Sequence, residues 1–216
     1  MSVHVVGVTG ASGAPYALRV LQGLLEAGHH VKLVVSPAGE RVLAIESGVR
    51  FSGVRAARLE QWRELLGVEG GGLELLPHRD FSASIASGSF VFEGMAIVPC
   101  SMGTVGRIAG GISSNLIERT ADVALKERRR LVIVPRETPF NRIHLRNMLE
   151  LVDAGAEILP AMPAFYHQPA TIQDLVDTVA GRVLDRLGIE TGLLRRWQGD
   201  PLADLAAVDG PDAEDG

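Results

Sequence analysis

One cysteine, Cys100, occurs in 216 residues. That excludes an internal disulfide and fits a reducing compartment. Its position at the end of MAIVPC (95–100) predicts a buried, inert thiol. Lysine is almost as scarce, with Lys32 and Lys126 standing against a large excess of arginine. The histidines show no metal spacing and there is no CxxC, so no structural or catalytic metal is expected. A GxSxG elbow and a P-loop are also missing, which removes the commonest serine-hydrolase and nucleotide-triphosphate readings. No apolar run approaches the length of a membrane span, and the first residues lead straight into a strand. The expectation is a soluble, cytoplasmic protein with no membrane partner. A basic surplus is absent as well: the net charge of −5 argues against a nucleic-acid partner.

What the chain does contain is a regular alternation of apolar runs and helical periodicity. With 46% hydrophobic and 22% charged residues it can bury a core, and its length suits one large domain. VHVVGV (3–8), HVKLVVS (30–36), MAIVPC (95–100), LVIV (131–134) and EILP (157–160) read as strands. Helical spacing runs from about Tyr16 to Glu26, closed by Gly28, and from Pro37 to about Glu46. SMGTVGRIAGGISSN reads as a small-residue loop and helix. Further helices are expected over 116–129, over FNRIHLRNMLELVDAG closed by Gly155, and over TIQDLVDTVAGRVLDRLG with Thr171 as N-cap. Residues 48–80, with VEGGGLEL in the middle, read as an irregular insertion with room for one short strand. The composition of 199–216, acidic and rich in Ala, Gly and Pro, predicts a disordered tail. The fold class that follows is α/β: a doubly wound, mostly parallel, Rossmann-like or flavodoxin-like sheet in a single domain over 1–198.

The most informative stretch is NLIERTADVALKERRRLVIVPRETPF (115–140). Arg119 and Lys126 lie seven residues apart, two helical turns, and project from one helix face. The strand after them delivers Arg136 and Glu137 to its carboxyl end, where open α/β sheets place ligands. Two cations and an Arg-Glu pair suggest an anion site beside an acid/base group; the alternative is a solvated helix with ion pairs, which suits Arg128, Arg129 and Arg130. TGASGAP (9–15) follows a strand and opens a helix, but its glycines recur every three residues and do not make a GxGxxG fingerprint. Ser12 is either an N-cap or a ligand-binding hydroxyl. Ser36 in VVSPAG and CSMGT (100–104) are two more strand ends opening helices, and three such termini along one sheet edge favour a nucleotide-like ligand. Glu46, at a helix end, carries no functional signal of its own. Tyr166 could donate to a phosphate or cap the core, His167 reads as structural, and Arg182 reads as a solvent or interface arginine.

Taken in order, GASGAPYALRVL, VVSPAGE, ASGS (86–89), PCSMGT, SNLIERTADVALKERRRLVIVPRETPF, IHLRNML and ILPAMPAFYHQP resemble the UbiX-type flavin prenyltransferases over roughly residues 3–190. The resemblance implies joining of a dimethylallyl group from dimethylallyl monophosphate to N5 and C6 of reduced FMN. The product, prenylated FMN, would serve a UbiD-type decarboxylase. It implies a homododecamer with active sites at subunit contacts. It places FMN contacts at Gly10, Ala11, Ser12, Ser36, Ser101, Met102, Gly103, Thr104 and Arg136. It places the prenyl phosphate at Lys126, Tyr166 and Arg182, with Arg119, Arg136 and Glu137 close by. Ser12 and Glu46 match positions that shape the active site, and Trp197 matches an aromatic beside the prenyl group. The chemistry is consistent with this: no DDxxD is present to hold a diphosphate through magnesium, so fixed cations would have to stabilise the departing phosphate. The competing expectations are an FMN-dependent decarboxylase of the phosphopantothenoylcysteine type and a non-catalytic FMN carrier. Against the first, GASGAPY has no histidine, and PAMPAFYHQP replaces the decarboxylases' PxMNxxMW-like segment.

Overall fold

The computed structural model describes residues 1–193. Trp197 and the 199–216 tail lie outside the described residues. In chain order the elements are β1 (Val3–Val8), α1 (Ala14–Glu26), β2 (His30–Val35), α2 (Pro37–Ser47), α3 (Arg55–Leu66), β3 (Leu73–Leu76), a 3₁₀ turn (Ser84–Ala86), β4 (Gly94–Cys100), α4 (Met102–Ala109), α5 (Leu116–Lys126), β5 (Arg130–Pro135), α6 (Arg142–Asp153), β6 (Glu157–Ile158) and α7 (Ile172–Leu187). The six strands are all parallel in the order β3-β2-β1-β4-β5-β6. That is the doubly wound Rossmann order, with its reversal point between β1 and β4.

Alternation along the central strands divides the core in two. Val6, Val8, Ala96, Val98, Val132 and Val134 face one layer, which contains α1 and α7. Val5, Met95, Ile97, Leu131 and Ile133 face the other, which contains α4 and α5. Both faces are covered, which is why these strands read as continuous apolar runs. Close packing of α1 on α7 needs a glycine at 23, where a Cβ would fall 2.5 Å from Leu184 Cδ1.

The 48–80 segment is more regular than its composition suggests. It carries α3 as well as the edge strand β3, but α3 buries only Trp62 and Leu66 and so shows little apolar stripe. The expected helix over 116–129 stops at Lys126, because Arg128 adopts φ 54 and turns the chain into β5. Thr171 caps α7 as expected, accepting from Asp174 N, in a reciprocal capping box.

Candidate active site

At the reversal point the loops after β1 and β4 leave toward opposite faces and open a crevice. The Thr9 hydroxyl holds its two sides together, accepting from Ser101 N at 2.7 Å and donating to Pro99 O at 3.0 Å. Three helices start around this crevice, each with its own side-chain cap. Ser36 accepts from Gly39 N, Ser101 from Thr104 N and Asn115 from Glu118 N. Their N-termini converge on a cavity of about 450 Å3 lined by Thr9, Gly10, Ser36, Ser101, Thr104, Arg107 and Asn115, together with His78 and Arg79. The first loop approaches α2 so closely that a Cβ on Gly10 would lie 2.6 Å from that of Ala38. Partial positive charge from three helix N-termini favours an anion here.

Arg107 is only partly available to such an anion. It donates through Nε to Glu118 and through Nη2 to the Thr104 hydroxyl at 3.2 Å. Glu118 is 1% exposed and also accepts from Ser114 N and Oγ. Burial alone would raise its carboxyl, but the hydrogen bonds from Ser114 and Arg107 outweigh that and hold it below the usual range. Cys100, fully buried at the end of β4, has its thiol pushed up by burial and is inert.

Glu46 closes the other side of the GASGAP loop. Its carboxylate accepts from Gly13 N at 3.0 Å and Ala14 N at 2.7 Å, taking the role at the start of α1 that Ser12 was a candidate for. Burial would raise this group too, yet hydrogen bonds from Ser12, Gly13 and Ala14, with Arg136 nearby, lower it. Arg136 Nε donates to Ser12 O at 3.1 Å, tying the end of β5 to the same loop. Glu137, next along, is exposed and accepts from Thr138 N.

A second cavity, about 700 Å3, lies beside α7 and contains Leu159, Tyr166, His167, Asp174, Thr178 and Arg182. Its outer wall is the FYHQP turn, held by Gln168 N to Phe165 O at 3.0 Å, with Gln168 at φ 54.

Gly10, Ser36, Ser101 and Thr104 therefore line one cavity, and Tyr166 and Arg182 line the other. Arg119 and Lys126 line neither. Arg119 reaches Ala86 O and Asp122, and Lys126 pairs with Glu127 beside Gly88. Lys126 sits at the end of α5 that leads into the start of β5, the sheet edge opposite Arg136, and α5 and α7 pack on opposite faces. The expected convergence of Lys126, Tyr166 and Arg182 thus does not occur within one chain. The Met102 side chain points into the core, so that residue can offer a ligand only its backbone. Ala11 is buried, and the nearest atom to where a Cβ on Gly103 would stand is Arg107 Nη1, at 3.4 Å. Thr9, His78, Arg107, Asn115 and Glu118 were not singled out from the sequence; Asn115, three residues before Glu118, carries the one local signal among them, that of a cap.

Among the described residues no three His, Cys, Asp or Glu side chains come together as a metal site, and no helix is long and apolar enough to cross a membrane.

The Flavoprotein family model matches residues 2–184. A flavin prenyltransferase UbiX from Synechocystis is 50% identical over 197 residues, covering 90% of this chain and 95% of the relative. Among solved structures, AnUbiX (PadA1) in complex with FMN and dimethylallyl pyrophosphate superposes with a TM-score of 0.81 at 42% identity, covering 92% and 98% of the two chains. A dodecameric FMN-dependent UbiX-like decarboxylase from Escherichia coli O157:H7 superposes at 0.80 with 40% identity, covering 91% and 100%.

Proposed function

We propose, for a chain that belongs to the Flavoprotein family and is a UbiX-type flavin prenyltransferase, that the crossover cavity takes the FMN phosphate and the α7 cavity the phosphate of dimethylallyl monophosphate. The observation that carries this is the meeting of three capped helix N-termini on one cavity at the reversal point, where α/β sheets bind nucleotides. The fit is supported by Gly10, which lines this cavity and whose missing side chain lets the loop after β1 pack against Ala38 at the start of α2. Gly10, Ala11, Ser12, Ser36, Ser101, Gly103, Thr104 and Arg136 would hold the flavin, with Met102 contributing its backbone. Reduced FMN supplies the electron-rich nucleophile, through N5 and then C6 of its ring.

The chain's own residues hold and neutralise the leaving phosphate. Arg182 and the Tyr166 hydroxyl bind it in the α7 cavity. Lys126 and Arg119 reach it from another copy of the chain, since a single copy keeps both on the opposite face of the sheet from α7 and Lys126 at the far edge as well. Fixed cations do the work that magnesium does for a diphosphate, so transfer is metal-independent. Glu137, exposed beside Arg136, accepts the proton lost at ring closure. Ser12 and Glu46 shape the flavin loop, and Trp197, outside the described residues, borders the prenyl group. A homododecamer supplies the contacts between copies; the exposed apolar residues Ile143, Leu145, Leu149 and Val152 on α6 are surface suited to that. The product goes to a UbiD-type decarboxylase, and the single free thiol suits the cytoplasm.

Anaerobic incubation with reduced FMN and dimethylallyl monophosphate, without magnesium, tests this by mass spectrometry of the flavin. A gain of one C5H8 unit is expected. Bound but unmodified FMN would replace the reading with that of a decarboxylase or a carrier.

A further inference from the structure

We propose that His78 is a ligand of the flavin phosphate and takes up a proton as that phosphate enters, coupling FMN binding to imidazole charging. This rests on the reading that the crossover cavity receives the phosphate.

His78 lines that cavity together with Gly10, Ser36 and Ser101. Its carbonyl accepts from Leu116 N at 2.9 Å, which fixes the residue against the start of α5. Its Nδ1 is buried and has no hydrogen-bond partner among the described residues. With Nδ1 out of reach, Nε2 is the ring nitrogen that a ligand in the cavity can meet, and a phosphate oxygen there is an acceptor for its N–H.

The charges facing the ring decide when it titrates. They are Arg79 beside it, Arg107 on α4, Glu118 on α5 and Glu40 on α2. Both carboxylates already have arginine partners: Glu118 holds Arg107, and Glu40 holds Arg58. Those partners offset the pull of the two carboxylates on an imidazolium without removing it. Burial first, with Arg79 and Arg107, lowers His78 below the usual histidine range despite the pull of the two glutamates. Without ligand the ring is therefore neutral at neutral pH. A flavin phosphate carries close to two negative charges there, its second pKa being about 6. Placed against the imidazole in a partly desolvated cavity, it reverses the balance and raises the ring above its ligand-free value.

The sign of the linkage follows. The bound-state pKa is the higher, so the affinity gain is complete below the ligand-free pKa and is lost as pH rises through the bound one. FMN affinity should weaken with rising pH, by up to about tenfold per pH unit while one proton is coupled. Riboflavin has no phosphate and should show no such slope.

Titration calorimetry of the intact protein at about pH 7.5, in phosphate-free buffers of different ionisation enthalpy, counts the protons; at that pH free FMN phosphate is almost fully dianionic. The expected result is uptake of roughly half to one proton per FMN and none per riboflavin. His78→Gln should abolish the uptake and weaken FMN roughly ten- to a hundredfold, as a lost charge-assisted hydrogen bond does. FMN binding without proton uptake, or uptake that survives in His78→Gln, overturns the role of His78 and leaves the cavity assignment standing. Equal uptake for FMN and riboflavin overturns it without any variant. A folded protein that binds neither flavin overturns both the cavity assignment and the inference.

Discussion

The two cavities are built in different ways. Around the crossover cavity, each helix start satisfies itself within a few residues: Ser36 with Gly39, Ser101 with Thr104, Asn115 with Glu118. One copy of the chain completes that wall. The α7 cavity is walled in part by a turn that is open to solvent, with Tyr166 57% exposed and the neighbouring Phe165 67%. The cations expected beside it, Lys126 and Arg119, are on the other face of the sheet. Under the proposed assignment, local hydrogen bonding builds the phosphate cradle within a monomer, whereas the site around the leaving group draws on more than one copy.

The sharpest break of this comparison uses variants that disable the second cavity alone. Lys126→Ala and Arg182→Ala should each lower prenyl transfer by roughly a hundred- to a thousandfold, the scale of losing one preorganised charge partner of a transition state, with FMN affinity unchanged. Mixing the two inactive variants under conditions that exchange subunits should recover part of the activity. No recovery after proven exchange would place both residues in one copy's site.

An intermediate effect is expected at the first cavity. Gly10→Val pushes a branched side chain into Ala38, and overpacking of about 1–3 kcal/mol should weaken FMN binding roughly five- to a hundredfold. Fluorescence quenching of FMN measures it, and unchanged affinity would show that the loop after β1 does not approach the ligand.

The smallest effect belongs to Glu46, which bridges loop and helix. Glu46→Gln should lower stability by about 0.3–1 kcal/mol, near the bottom of that range because the side chain is exposed to solvent. Its folded pKa is depressed, so the advantage exists above the unfolded value and disappears as pH falls through the folded one. Denaturation midpoints of wild type and Glu46→Gln should therefore converge once the pH falls below the ordinary glutamate range.

Much of the crossover cavity was legible because capping is a contact between a residue and its third neighbour. Ser36 before Pro37, and Ser101 in PCSMGT, announce both a strand end and a helix start. The exception was the start of α1, where Ser12 was a candidate cap and Glu46, 32 and 33 residues away, does the capping. Thr9 carries no signal for the same reason: its hydroxyl meets Ser101 across 92 positions. Arg107 and His78 become visible only when α4, α5 and the segment after β3 surround one space. Helix α3 carries little periodic signal because only Trp62 and Leu66 are fully buried, with Leu59 and Leu65 packing on the core in part.

Apolar alternation and cap spacing by themselves determined the parallel sheet, its two covered faces and the helix starts at Ser36 and Ser101, since those depend on contacts a few residues long. The spacing of Arg119 and Lys126 likewise determined that they share one face of α5. Which side of the sheet that helix covers, which edge its last turn reaches, and that Tyr166 and Arg182 share a cavity that Lys126 does not line, was decided by the tertiary structure. The strand crossovers set those relations, through packing between segments far apart in the chain.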